Sequence, residues 1–231
     1  RIYGESPYKS PTDMGVNMAG NCICDDEVCK AASKQEIIRR YYDSLRRHLI
    51  GACSDEEVYK LEMLMNQAGI TVHDRPVVDV ALKHAEETGA PAAALELHDG
   101  RIVTGKTSNL LGASAALLLN ALKELAGIDH KLHVISPEAI EPIQKLKTLY
   151  LGSKNPRLHT DEILIALSVS AASNPTAQLA LAQLPKLKGC QAHTSVMIGT
   201  VDMKQFKKLS IQATFEAKYE KTSTLFHGKG L

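Results

Sequence analysis

The chain has 231 residues, with 27 Lys and Arg against 26 Asp and Glu, for a formal net charge of +1. That balance excludes an overall basic footprint for nucleic acid or an anionic membrane. With no Trp and 4% aromatic residues it also argues against a stacking surface for single strands, while 44% hydrophobic content suits a globular chain with a sizeable core.

Residues 1–24 are dense in Gly, Ser, Pro and Asn and lack periodicity, which reads as a turn-rich loop. From Asp25 apolar residues recur at helical spacing to Leu49, behind an acidic first turn. A second helix is expected from Asp55 to Ala68. A third starts near Pro76, with Asp74 before it, and ends at Thr88-Gly89. The texture then changes. Ala92–Leu97 and Arg101–Gly105 flank His98-Asp99-Gly100 and predict a β-hairpin. A long apolar helix follows from Thr107 to Ala126, closed by Gly127. Leu132–Ile135 reads as a short strand, and Glu138–Lys147 as a helix in which Pro142 confines regular turns to one side. Thr160-Asp-Glu is expected to cap a helix to Ala172, and Asn174-Pro175 starts another to Leu184. Gln191–Ile198 is a strand by alternation, Asp202–Leu209 a short helix and Ile211–Phe215 a last strand. The polar tail from Lys221 completes the chain.

The fold class is therefore α/β (α+β): a loop and helical segment over 1–89, a small mixed sheet with packed helices over 90–220, and a tail over 221–231. The apolar stretch from Leu110 to Leu122 is interrupted by Ser114 and Asn120 and is too short to span a bilayer. Neither end carries a secretory signal, so a cytoplasmic location is expected. The first residues, Arg1-Ile-Tyr, read as the middle of an element, so a longer polypeptide is expected. Cys22, Cys24 and Cys29 lack the two-residue gap of a zinc knuckle, so free thiols are preferred over a metal centre.

Gly100-Arg-Ile-Val-Thr-Gly105-Lys106-Thr107 matches the phosphate-loop pattern G-x-x-x-x-G-K-[ST]. Ile102 and Val103 between its glycines favour extended strand over an anion-cradling nest, so the hairpin is the preferred reading. The order of hairpin, helix, strand, helix, strand resembles zinc-dependent deaminase-like domains. Their His-x-Glu and Pro-Cys-x-x-Cys signature is absent, and topology alone carries no function.

A denser resemblance lies in Ser6-Pro-Tyr-Lys-Ser-Pro-Thr-Asp-Met-Gly-Val-Asn-Met-Ala-Gly20, in Lys34–Tyr42, in Gly89–Ala94, in Gly105-Lys-Thr-Ser108, in Asn155-Pro-Arg-Leu-His-Thr-Asp-Glu162 and in Leu187–His193. On these motifs the chain resembles the C-terminal portion of a family of bacterial cytoplasmic proteins of unknown function, roughly twice its length. The resemblance implies a partner in the N-terminal half of the same protein, which carries its own glycine-rich loop. Any nucleotide cofactor is expected to be held mainly there. The family supplies no catalytic residues to transfer.

The site candidates rest on chemistry alone. Lys9, Ser10 and Asp13 sit in the first polar loop. Lys106, Thr107 and Ser108 at an expected helix start could hold an anion through N–H groups, hydroxyls and an ammonium. Arg157 could fork onto a phosphate, and His159 could act as acid or base near neutral pH, with Asp13 as a second catalytic candidate. The leading expectation is a phosphate- or nucleotide-handling enzyme in which these clusters converge. Its rival is a non-catalytic assembly module, a homo-oligomer built on an apolar patch of Ile37, Ile38, Tyr41, Leu45 and Met63. Neither nucleic acid nor membrane is an expected partner.

Overall fold

The computed structural model describes residues 25–220. Within them eight helices surround one four-stranded mixed sheet. Helix α1 (Asp26–Leu49) is opened by Asp25, whose carboxylate accepts from the N–H of Val28. Helix α2 (Asp55–Ala68) is opened by Ser54 and closed by Gly69 in the left-handed region. Helix α3 (Pro76–Thr88) follows a single 3-10 turn whose N-cap Thr71 donates its N–H and hydroxyl to the Asp74 carboxylate, and its own N-cap is Arg75.

Strands β1 (Ala92–Glu96) and β2 (Ile102–Lys106) form the expected hairpin, with Gly100 at φ +82° in the turn. The phosphate-loop pattern is thereby explained by packing. A Cβ on Gly105 would lie 2.3 Å from the backbone nitrogen of Leu117, so only glycine lets β2 meet helix α4 (Ala113–Ala126) this closely. Strand β3 (Gln191–Thr194) pairs antiparallel with β1 and parallel with β4 (Gln212–Phe215), giving the order β2-β1-β3-β4. One face of the sheet packs on α4 through Leu95, Val103, Leu117 and Leu118. Each such buried side chain contributes about 1.5–3 kcal/mol. The other face meets α3 through Val77, Ala81 and Ala94, and α1 through Tyr42.

Helices α5 (Pro137–Lys145), α6 (Thr160–Ala171), α7 (Pro175–Leu181) and α8 (Thr200–Lys208) complete the fold. Several expected boundaries move. The apolar helix starts at Ala113, not Thr107, because Ser108 Oγ accepts from the N–H groups of Leu110 and Leu111 and forms a separate turn. Leu132–Ile135 is not a strand. The carboxylate and carbonyl of Asp129 fold it into a turn, and Ser136 then caps α5 through the N–H of Ala139. Pro142 lies inside α5, and Glu138, whose carbonyl loses its donor there, is exposed to solvent. The helix then widens into a π turn over Leu146–Tyr150.

Candidate functional site at the carboxyl end of the sheet

Because β1 runs against both β2 and β3, strands β2, β3 and β4 all end on the same side of the sheet. Loops at the carboxyl ends of strands are where open α/β sheets place ligands. The chain after β2 is joined there to the chain before α6. Leu111 bridges Leu158, the Leu158 N–H donates to the Leu110 carbonyl, and the Gly112 N–H donates to the Leu158 carbonyl. Ser108 in turn donates its N–H to the Leu111 carbonyl. The backbone that follows Lys106–Ser108 is thus joined to the backbone of Leu158, between Arg157 and His159.

His159 is the N-cap of α6, and its N–H donates to Glu162 Oε2 at 2.8 Å. Its Nδ1 lies 3.4 Å from Oδ2 of Asp202, in the first turn of α8. The other oxygen of Asp202 accepts from the Thr160 N–H at 2.9 Å and from the Thr160 hydroxyl at 2.8 Å. Thr160 is therefore the first helical residue and spends its hydroxyl on Asp202, not on capping. The hydrogen bond that His159 donates to the Asp202 carboxylate raises the His159 pKa, with burial opposing it. Burial pushes the Asp202 carboxyl upward, but its bonds to His159 and Thr160 outweigh that and leave it below the usual range. The carboxylate faces Nδ1 on a ring whose side chain is 35% exposed.

The surrounding charges are paired. Lys147 Nζ bonds Glu162 Oε2 at 2.7 Å and the Arg157 carbonyl at 2.6 Å. Arg157 Nη1 bonds Glu220 Oε1 at 2.9 Å, so its guanidinium is already engaged. Lys106 is exposed at the end of β2, and the Thr107 N–H is spent on the Pro91 carbonyl. Lys106–Ser108 therefore do not present the helix N-terminus that the sequence suggested. Lys9, Ser10 and Asp13 lie outside the described residues. Asp202 was missed from sequence, where it reads as one more acidic residue in a helix first turn. The apolar patch expected for assembly is used internally only in part. Ile38 is fully buried, Ile37, Tyr41 and Leu45 pack beside it, and Met63 remains 43% exposed. Among the described residues no cluster could hold a metal ion, and Cys29, Cys53 and Cys190 are free thiols.

Comparison with known proteins places the chain in a class. Residues 73–226 match the family described as domain of unknown function DUF1846, C-terminal, and residues 1–69 match its N-terminal counterpart. The chain belongs to the DUF1846 family. It is 57% identical over 220 residues to a UPF0371 protein of Corynebacterium efficiens, covering 95% of this chain and 44% of that protein. A UPF0371 protein of Corynebacterium aurimucosum is 56% identical over 98% of this chain and 45% of its own length. One from Streptococcus thermophilus is 53% identical over 95% and 44% respectively. The chain thus spans less than half the length of these relatives. No helix among the described residues is long and apolar enough to cross a membrane.

Proposed function

We propose that the chain supplies an acid–base wall, with an anion-contacting flank, to a larger cytoplasmic enzyme acting on a phosphorylated metabolite or nucleotide. The observation that carries this reading is the buried Asp202 gripping His159 Nδ1 while the ring stays partly exposed where β2, β3 and β4 end. A carboxylate behind an imidazole fixes its tautomer and keeps Nε2 ready to give or take a proton. The raised pKa of His159 keeps more of it cationic near neutral pH, which favours an anion at Nε2. Lys106 is an exposed cation at the end of β2, where the adjoining loop begins, whereas Arg157 would first have to leave Glu220. In this reading His159 carries the proton, Asp202 positions it, and Lys106 meets a phosphate as a point charge.

The test is an NMR titration of the histidine ring signals with inorganic phosphate and then ADP. The expected result is a phosphate-dependent upward shift of the His159 titration, lost in Lys106→Ala and altered in Asp202→Asn. An unchanged His159 curve at saturating anion would reject the site.

A further inference from the structure

Among the described residues the α1–α2 hairpin is covered on one side only. Of the 14 residues of α2, Met65 alone is buried, and Tyr59, Met63 and Leu64 are 59%, 43% and 41% exposed. A cleft of about 500 Å³ runs between the two helices, floored by Ala32, Ile37, Leu61 and Leu64. Its rim carries Glu36 with Arg39 and Arg40 at 2.7 and 2.9 Å. Arg39 also reaches Gln191 behind the helix, whereas the Arg40 side chain is 69% exposed. A helix this short and this open draws little stability from water-facing turns and needs packing on its apolar stripe.

We infer that this groove is the seat of the rest of the N-terminal DUF1846 domain, the part that relatives carry and these 231 residues do not. Two observations choose that occupant. Residues 1–69, which contain both helices, match the N-terminal family domain, whereas the sheet lies within the C-terminal match. The relatives are more than twice the length covered here, so over half of each lies outside this chain. The inner side of α1 is spent on the C-terminal domain, through Tyr42 to Glu216 and Gln35 to Arg75. The outer groove is the side left for its own domain. Its chemistry asks for an apolar ridge with a carboxylate placed opposite Arg40.

The experiment uses the polypeptide of the relatives' full length. A photo-crosslinking residue is introduced as Leu64→p-benzoylphenylalanine, with Leu149→p-benzoylphenylalanine as an exposed control on the π turn. The expected product is an intrachain crosslink from position 64 to a peptide outside the 231 residues, with a yield unaffected by tenfold dilution. Hydrogen exchange should then show residues 57–68 at least tenfold slower than in the 231-residue chain. A crosslink of doubled mass that fades on dilution would assign the groove to a second copy and overturn the proposal. Solvent-only products at position 64 with fast exchange over 57–68 would overturn it as well.

Discussion

The two faces of the sheet are built from opposite chemistry. Toward α4 the strands present Ala93, Leu95, Val103 and Ala192 to Leu117, Leu118 and Leu122, a dry contact of apolar atoms. Toward α1 and the start of α3, beside the apolar contact of Val77, Ala81 and Ala94, they present Gln191, His193 and Thr214 around a fully buried arginine, Arg75. Its guanidinium donates five hydrogen bonds: to Thr214 Oγ1 at 3.0 Å, Gln35 Oε1 at 3.1 Å, Gln191 Oε1 at 2.5 Å, and the Ala192 and Gln212 carbonyls at 3.0 and 2.6 Å. All five acceptors are neutral. Burial, with Arg39 nearby, lowers the Arg75 pKa to about 10, which still leaves it charged at neutral pH. The dry face supplies burial energy without direction, whereas the polar face accepts only one seating of α1 against β3 and β4.

The sharpest way to break that comparison is Arg75→Ala. It takes a charged donor from five neutral acceptors, of which Thr214 Oγ1 and the Ala192 carbonyl are buried, and each hydrogen bond to a charged group contributes about 1.5–3 kcal/mol. Urea unfolding should show that loss, and Arg75→Lys should recover little of it, because an ammonium cannot reproduce the fork. Exchange over residues 35–42 should also quicken. Leu118→Ala on the dry face should cost about 2–5 kcal/mol and leave that segment's relative protection unchanged. Equal loosening of α1 by both variants would show that the faces do not differ in role.

Gly105→Ala comes next. The added methyl would overlap the backbone of Ala116 and Leu117, so α4 must shift as a body. Overpacking of this kind costs about 1–3 kcal/mol, read as a lower Tm. An unchanged Tm would mean that β2 and α4 are more loosely joined than the geometry requires.

The contrast also separates what the sequence reveals from what it conceals. Hairpin, helices and sheet class were legible because each leaves a local signal: Asp-Gly at the turn, Asp25 and Ser54 before helices, and Gly89 and Gly127 after them. The start of α4 was not, since Thr107 and Ser108 look like caps until Ser108 is seen closing its own turn. The same limit applies to the site. His159 could be singled out as an imidazole beside Arg157, but Asp202 becomes its partner only when α8 packs on α6, 43 residues away. Arg75 carries no signal at all. Beside Asp74 and Pro76 it reads as an ordinary surface cation, and its burial is decided by side chains more than a hundred residues distant.

The polar face should also be the acid-sensitive one. Burial pushes His193 below its ordinary value near 6.5, and the ring is neutral in the fold. Its Nδ1 meets Thr214 Oγ1 at 2.9 Å, and Nε2, without a well-aligned hydrogen bond, lies 3.3 Å from Glu216 Oε1. The His193 ring in turn holds the Glu216 carboxyl below the usual carboxylate range. Both groups bind protons more weakly folded than unfolded, so both contributions are present above their unfolded pKa values and are lost as pH falls. The histidine contribution fades below about pH 6.5 and the glutamate contribution below about pH 4.5. Protonation of His159 works the other way, its raised pKa adding stability as pH falls through that value. The expected outcome is a His193→Gln variant whose stability is flatter from pH 7 to 5 than that of the parent chain. An unchanged slope would mean that His193 is already charged in the fold.

The smallest expected effect tests the outer edge of the same network. The Tyr42 hydroxyl donates to Glu216 Oε1 at 3.3 Å, and its ring lies 4.9 Å from that of His193 at 55°. Burial, reinforced by Glu216, raises the Tyr42 pKa, so the hydroxyl keeps its proton and remains a donor at any working pH. Tyr42→Phe retains the tilted ring contact and removes one hydrogen bond. Glu216 keeps 25% side-chain exposure, so water can replace the lost donor. The loss should therefore stay at the low end of the roughly 0.5–1.5 kcal/mol range for one bond. Tyr42→Ala, which also removes the ring from Ile38 and Val78, should cost about 3–5 kcal/mol. A phenylalanine variant as damaged as the alanine one would move the weight of this contact from ring packing to the hydroxyl. The polar face would then hold α1 by hydrogen bonds alone, not by a buried aromatic ring that the network merely orients.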